Sequence, residues 1–593
     1  MNDVKANDSN SDMKNYFYRA SASNFERIPG SPIAYWASPR VVEVFSTFTL
    51  LAAVAKPRQG LATSDNNRFL KQWHEVAIQK IGFSCESHLI AKGSKKKWFP
   101  CQKGGSFRKW YGNNSFVVNW ENDGEELLEF AAKLYGSPTR TIKNISFYFK
   151  EGMTWSTISS SALSMRYSPI GFISETKGAI CFADSHEDLM DYLGFCNSKL
   201  VNHFLAALSP TLDYHEGPVG RLPIAKSLPL EVGRNAKELV QIARKDWDFS
   251  ETSWDFSSFP LLNLGHAECM LKVSYQTLRA QWREMTMEMR RLELGNNRIF
   301  IDAYGLQDEL APEVPLNEIT LTCNPHYRYG GDKTEEELET LLLADTMREF
   351  ISYAVGCMFG RYALDKPGLV LANQGETIDD YRRLVPNSRF EADADNVIPL
   401  LDGEWFADDV TERFRPFLRV TFGDDHYDEN LAFIEQALNP KGKRNFTLRD
   451  YMLGEFYTDH VKRYKKRPIY WLFSSPKGTF NALIYLHRYR PDTASVVLQY
   501  LRDFRSKLAA RQSTLEQVLI SPATSQGEKT KAVKEIDSLK KQIIELQDYE
   551  NDTLYPLATA NVALDLDDGV KVNYLKLGAA LKKITGLDAK EED

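Results

Sequence analysis

Arg58, Gln59, Thr63, Asn66, Asn67 and Arg68 fall within one short segment, PRQGLATSDNNRF at 57–69. These are side chains suited to reading base edges, since arginine forks onto guanine and asparagine or glutamine pairs with adenine through two hydrogen bonds. The segment is too polar for a core and too particular in composition for a spacer. Further on, KKKWFPCQKGGSFRKWYGNN (95–114) interleaves lysines with Trp98, Trp110 and Tyr111 around Gly104 and Gly105. Lysine neutralises phosphate, glycine lets backbone approach it, and an aromatic face packs against sugar or an unstacked base. The alternative is that the tryptophans are core and the lysines only solubilise, and for Trp110 and Trp120 individually that reading is preferred.

The formal charge of -7 hides two basic islands. Residues 51–112 hold twelve Lys/Arg against three acids, and 441–490 hold twelve against three. The rest of the chain is therefore strongly acidic. Charge segregated in this way makes local positive faces that can neutralise phosphates despite a negative total.

Other chemistries fit poorly. In LTCNPHYRYGG (321–331), Asn324, Pro325 and Tyr327 approach the Asn-Pro-Pro-aromatic turn of an amino-methyltransferase. His326 replaces the second proline, however, and no glycine-rich cofactor loop lies upstream. A structural turn with a buried tyrosine is expected there instead. KQWHEVA and SHEDLM each lack the second histidine of a zinc helix, and SSPKGTF lacks the first glycine of a phosphate loop. No catalytic, cofactor-binding or metal residue is assigned. The ten histidines read as packed or surface residues. Seven cysteines without a CxxC pair point to reduced thiols in a cytoplasmic protein, with neither disulfides nor zinc. VVEVFSTFTLLAAVA (41–55) carries Glu43 and is too short to span a membrane.

The elements that must position these residues are of mixed α/β (α+β) type. Residues 1–28 read as a tail or linker. From 29 to 226 a mixed region with long loops is expected, with strand-like NSFVVNW and ISFYF, helical 186–208, and SPTLDYHEGPVGRLPI returning as extended chain. From 227 to 390 a helical connector follows the acidic, aromatic KDWDFSETSWDF. Its helix through 271–306 reads as polar on every face, and Thr334 with Glu337 forms a capping box. A second mixed, basic region occupies 391–500. Heptad-like leucines over 501–519 and 529–550 predict an antiparallel helical hairpin at 501–550. In the closing segment 551–593, LDLDDGVKVNYLKLG lacks the ligand pattern of a calcium loop and reads as a turn between two strands.

Several long motifs carry a resemblance: FERIPGSPIAYWASPRVVEVF, PRQGLATSDNNRFLKQWHEV, KWFPCQKGGSFRKWYGNNSFVVNWENDG, LGFCNSKLVNHFLAALSPTLDYHEGPVGRLPI and DHVKRYKKRPIYWLFSSPKGTFNALIYLHRYRP. Together they resemble the target-recognition half of PglX, the adenine-specific DNA methyltransferase of bacterial BREX phage-defence systems. That family is similar in layout to single-chain restriction-modification enzymes with a TaqI-like specificity domain. The resemblance runs from about residue 17 nearly to the end. It implies S-adenosylmethionine as cofactor of the full-length enzyme, N6 of adenine as acceptor, and a short asymmetric recognition sequence. It also implies other BREX proteins as partners. The family's methyl-donor loop and catalytic turn precede the part matched here, so the expectation is a C-terminal fragment or split gene product, inactive alone, working with a methyltransferase half in cis or in trans.

The expected partner is double-stranded DNA. Base contacts are placed on Arg58, Gln59, Thr63, Asn66 and Arg68. Phosphate contacts are placed on Lys95, Lys96, Lys97, Lys103, Arg108 and Lys109, and on Lys462, Arg463, Lys465, Lys466 and Arg467 of the second island. The rival expectation is a docking scaffold of a defence complex with no direct DNA reading, its interaction surface the hairpin.

Overall fold

The computed structural model describes residues 21–587 apart from 160, 210, 212 and 264–269. Most of the expected tail, and Cys269, lie outside the described residues. The other six cysteines are free and buried. Among the described residues no helix is long and apolar enough to cross a membrane.

The fold is mixed α/β, rich in helix, with small sheets. Two four-stranded sheets lie in the first region. One orders strands Lys56–Arg58, Ile180–Phe182, Gly152–Trp155 and Met165–Ser168, all antiparallel. The other orders Leu70–Gln72, Phe116–Asn119, Trp98–Gln102 and Ile173–Ser174, with its last pairing parallel. Pro100 is tolerated inside this sheet because pairing with Ile173–Ser174 begins only at Cys101, so the proline has one neighbouring strand. A third sheet, in the second mixed region, places Asn481–Tyr485 between Ile398–Pro399 and Tyr470–Ser474.

The apolar stretch at 41–55 forms the helix Pro39–Thr47, a two-residue strand and the helical turn Leu51–Val54. Ser38 starts the first helix, its Oγ accepting from the Val41 amide, with proline in the first turn. Residues 186–208 are two helices, His186–Cys196 and Lys199–Leu208, because the Asn197 side chain turns away to hold the backbone of Met165 at 2.9 Å. The Thr334 capping box is present at the head of Glu335–Met358. The hairpin is formed by Thr493–Ile520 and Gln526–Tyr549, packed through Leu501, Phe504, Leu508 and Leu515 against Ile536, Leu539 and Leu546.

Four expectations are corrected. ISFYF is a 3-10 turn, Ile145–Phe147, because Asn144 is left-handed and the Ile145 carbonyl accepts from His88 Nε2 instead of from a strand. SPTLDYHEGPVGRLPI contains the helical turn Glu216–Gly220 before Pro223–Ile224 pairs with Thr49–Leu50. The helix Leu271–Tyr304 is not polar all round: a stripe from Leu271 through Leu278, Trp282, Met289, Leu292 and Phe300 to Tyr304 is buried. Its Glu293, Asn296 and Asn297 lie on the same packed face, each accepting a hydrogen bond at its side-chain oxygen, which is what disguised it. Finally, LDLDDGVKVNYLKLG is a 3-10 turn, Leu566–Asp568, running into the helix Gly569–Lys576, where Val570 and Tyr574 are buried one turn apart.

One apolar core extends from Ile28 to Tyr485, joining the first region, the connector and one side of the third sheet. A second core joins that sheet's other face to the hairpin and the C-terminal segment. Where the three regions meet, Arg361 is fully buried, its guanidinium over the rings of Trp73, Tyr362 and Tyr485. His74, His460 and His487, all buried, surround this point.

Candidate nucleic-acid interface

The polar segment at 57–69 is partly woven into the protein. Arg58 lies half-buried in its strand, its guanidinium 5.0 Å over Phe147 and its Nη1 donating to the Pro57 carbonyl. Gln59 Oε1 accepts from Lys143 Nζ at 3.0 Å, and its carbonyl accepts from Asn144. Gly60 packs so closely on the Ser174 carbonyl that a Cβ would lie 2.1 Å from that oxygen. Thr63 and Asn66 are buried and bond to each other at 2.7 Å. Arg68 is exposed but paired with Glu126 at 2.6 Å. Asn67 is exposed next to it.

In the 95–114 segment the aromatics are structural. Trp98, Trp110, Tyr111 and Trp120 are all buried, and Trp110 Nε1 donates to Glu293 Oε1 at 2.7 Å. Gly104, at φ +77°, turns its bare side toward the protein's own Lys177 carbonyl, 2.6 Å from where a Cβ would sit. Arg108 and Lys109 are buried as well: Arg108 pairs with Asp246 at 2.5 Å and Lys109 with Glu293 at 2.8 Å. Lys95 is exposed, Lys96 Nζ donates to the Gln79 carbonyl, and Lys97 pairs with Asp567 at 3.1 Å. Lys103 lies half-exposed over Phe116.

The second island divides similarly. Lys462, Lys465 and Lys466 are exposed, the last two in left-handed backbone. Arg463 pairs with Glu251 at 3.1 Å, 16% and 6% exposed at their side chains. Arg467 lies 3.8 Å from Glu75, and its carbonyl accepts from His74 Nε2 at 3.1 Å.

That contact brings the two islands together. Lys71, Lys103 and Asn67 from the first, Arg467 from the second, and Lys571 from the C-terminal helix line one narrow recess, with Glu75 and Asp568 as its acids. The acidic turn at 565–568 acts as a clasp beside it. Asp567 accepts from Lys80 Nζ at 2.8 Å and Trp98 Nε1 at 3.0 Å, and Glu75 Oε2 accepts from the Val570 amide at 2.8 Å. Burial works against the Asp567 charge, but the bonds from Lys80, Trp98 and Lys97 prevail and hold its carboxyl below the usual range. Sequence reasoning missed Lys71 and Lys571. Lys71 sits among acids and apolar residues, and Lys571 sits in a segment taken for a strand turn.

The NPHY turn is held by internal hydrogen bonds. Asn324, 1% exposed, caps the helix Pro325–Tyr329 and donates Nδ2 to the carbonyls of Leu316 and Ile319, while Tyr327 donates to the Phe107 carbonyl.

No protein-family profile matches the chain. It is similar to the adenine-specific methyltransferase PglX of Lacticaseibacillus casei, 38% identical over 584 residues, covering 97% of this chain and 46% of that protein. It is equally similar to the adenine-specific methyltransferase BrxX of Escherichia coli O9:H4, 38% identical over 590 residues, covering 96% of this chain and 47% of the relative. The chain thus spans about half the length of the curated relatives it matches.

Proposed function

We propose, since the chain belongs to the PglX family, that it recognises and holds double-stranded DNA as the specificity part of an S-adenosylmethionine-dependent N6-adenine methyltransferase in bacterial phage defence. In this reading a methyltransferase half, in cis or in trans, supplies the methyl-donor loop and the catalytic turn. Residues 29–226 are the TaqI-like target-recognition unit in this reading, and the setting is the bacterial cytoplasm with other BREX proteins as partners. The observation that carries it is the convergence of two islands, far apart in sequence, on one recess where Lys71, Lys103, Arg467 and Lys571 outnumber Glu75 and Asp568. A cationic groove of this kind grips phosphate without regard to sequence.

Within this reading the roles divide by exposure. Lys95, Lys96, Lys103, Lys462, Lys465, Lys466 and Lys571 meet phosphates. Arg58, Gln59, Asn67 and Arg68 supply the polar edge that reads bases, with Thr63 and Asn66 holding that segment in shape. Arg108, Lys109 and Arg463 hold the fold together. A scaffold reading draws support from the hairpin's exposed Ile520, Val533 and Ile544. Fluorescence anisotropy on 30-base-pair duplexes at rising salt separates the two. Seven phosphate contacts predict a log–log slope of about -6 and about a 10⁴-fold loss of affinity between 50 and 200 mM salt. Absence of duplex binding at low salt would refute DNA holding and leave the scaffold.

A further inference from the structure

We propose that Leu89, backed by Ile90, is an apolar wedge that enters a base step of the duplex, an inference that rests on the DNA-holding function proposed above. Leu89 is 84% exposed and Ile90 50% exposed, side by side on the helix His88–Gly93. An isolated exposed leucine needs no explanation, but this pair has two unusual features.

The first is rigidity. His88, the adjoining residue, is fixed on the inner side of the helix. Its Nδ1 bonds Asp123 at 2.5 Å, its Nε2 donates to the Ile145 carbonyl at 2.9 Å, and its ring lies against Tyr148 and Phe149. Ser87 caps the helix start. Leu89 is therefore displayed on an anchored support.

The second is charge. Lys92, Lys95 and Lys96 follow within one turn and the loop beyond it, and Lys96 bonds the Gln79 carbonyl beside Lys80. On the other side, the Ile145 carbonyl that holds His88 belongs to the same turn as Lys143 and Asn144, which hold Gln59. The aliphatic pair thus lies on a helix tied through His88 and the turn at 143–145 to Gln59 and followed in the chain by Lys92, Lys95 and Lys96, with Glu86 the nearest acid along the chain. An exposed aliphatic pair followed closely in the chain by Lys92, Lys95 and Lys96 suits a duplex, whose charged backbone encloses an apolar stack. Such side chains unstack and kink the step they enter.

The test needs no knowledge of the recognised sequence, because a mismatch lowers the cost of opening a base step wherever it lies. Affinities of the full chain are measured for a fully paired duplex and for the same duplex with a central mismatch. The wild type is expected to prefer the mismatch about tenfold, or ~1.4 kcal/mol. Leu89→Ala is expected to lose that preference while keeping the salt slope of matched-duplex binding. Lys95→Gln with Lys96→Gln is expected to weaken both duplexes equally and keep the preference. The wedge is overturned if the wild type shows no preference, if Leu89→Ala retains it, or if Leu89→Ala weakens both duplexes alike. A wild type that binds neither duplex at low salt would instead remove the DNA-holding function itself, and the wedge with it.

Discussion

Replacing Arg108 by alanine distinguishes a cation that holds the fold from one that holds DNA. The Arg108 and Asp246 side chains are 5% and 1% exposed and 2.5 Å apart. Arg108 Nε also donates to the Tyr111 carbonyl at 3.1 Å, its Nη atoms reach Thr322 Oγ1, and its guanidinium stacks 5.1 Å over Trp247. Once the guanidinium is gone, Asp246 is left with neutral donors, among them the amides of Thr322 and Cys323 at 2.7 and 2.9 Å. Breaking a buried pair from one side costs about 3–5 kcal/mol, because a charge is left without its counterpart. For a cooperative unit of about 200 residues that lowers the thermal midpoint by roughly 6–20 °C. Scanning calorimetry reads the midpoint, and anisotropy at 20 °C reads duplex affinity of the folded protein, which is expected to stay within about twofold of wild type. Lys95→Ala should do the reverse, moving stability by less than about 0.5 kcal/mol while weakening binding. If Arg108→Ala melted with the wild type and lost duplex affinity, the separation of roles by burial would be wrong.

Three further outcomes are expected. Lys103→Gln with Lys571→Gln should weaken binding to all duplexes and reduce the salt slope by about 2, with no change in base preference; a relaxed preference at one base would contradict their placement on phosphate. Asn324→Ala should cost about 2–4 kcal/mol through the lost cap and two unpaired carbonyls, and isothermal titration of the wild-type chain with S-adenosylmethionine should show no heat; a stable variant or a titratable site would restore NPHY as catalytic. Acid should unfold the junction around Arg361. Burial, then Arg361, pushes His487 down to about 3, while His74 and His460 are held well below the usual range, chiefly by burial. His460 must stay neutral there, since its Nε2 accepts from the amides of Ile469 and Tyr470. The unfolded chain takes up these protons near pH 6.5 and the folded chain does not. The stability is therefore complete above that pH and is lost as pH falls from 6.5 towards 3, at up to about 1.4 kcal/mol per pH unit for each histidine. A flat urea midpoint from pH 6.5 to 4.5 would refute the neutral cluster.

Local signals were legible where one physical cause dominates. The Thr334 box, the leucine spacing of the hairpin and the Val117–Val118 strand follow from capping and periodicity, and the structure has all three. Periodicity misled where tertiary bonds claim the backbone or put polar groups inside. Ile145 is taken by His88, and Asn296 hides a buried stripe by bonding Asn235. The candidate site was legible in composition but not in use. Lys95 and Arg108 are alike in sequence, yet one is in solvent and the other faces a carboxylate supplied by Asp246, 138 positions away. No local pattern announces a partner so distant, and none announced that His74 would join the two islands.

The clasp of Asp567 and Val570 on the segment around Glu75 and Lys80 has a consequence for biosynthesis. The Glu75–Val570 bond spans 495 positions, so the groove's wall is completed only when the segment around Val570 has left the ribosome. Nascent chains must carry an unfinished cationic surface while the residues between Glu75 and Val570 are made, exposed to any polyanion nearby. A premature stop ahead of Asp567 would therefore damage the segment around Glu75 and Lys80 as much as the residues it removes.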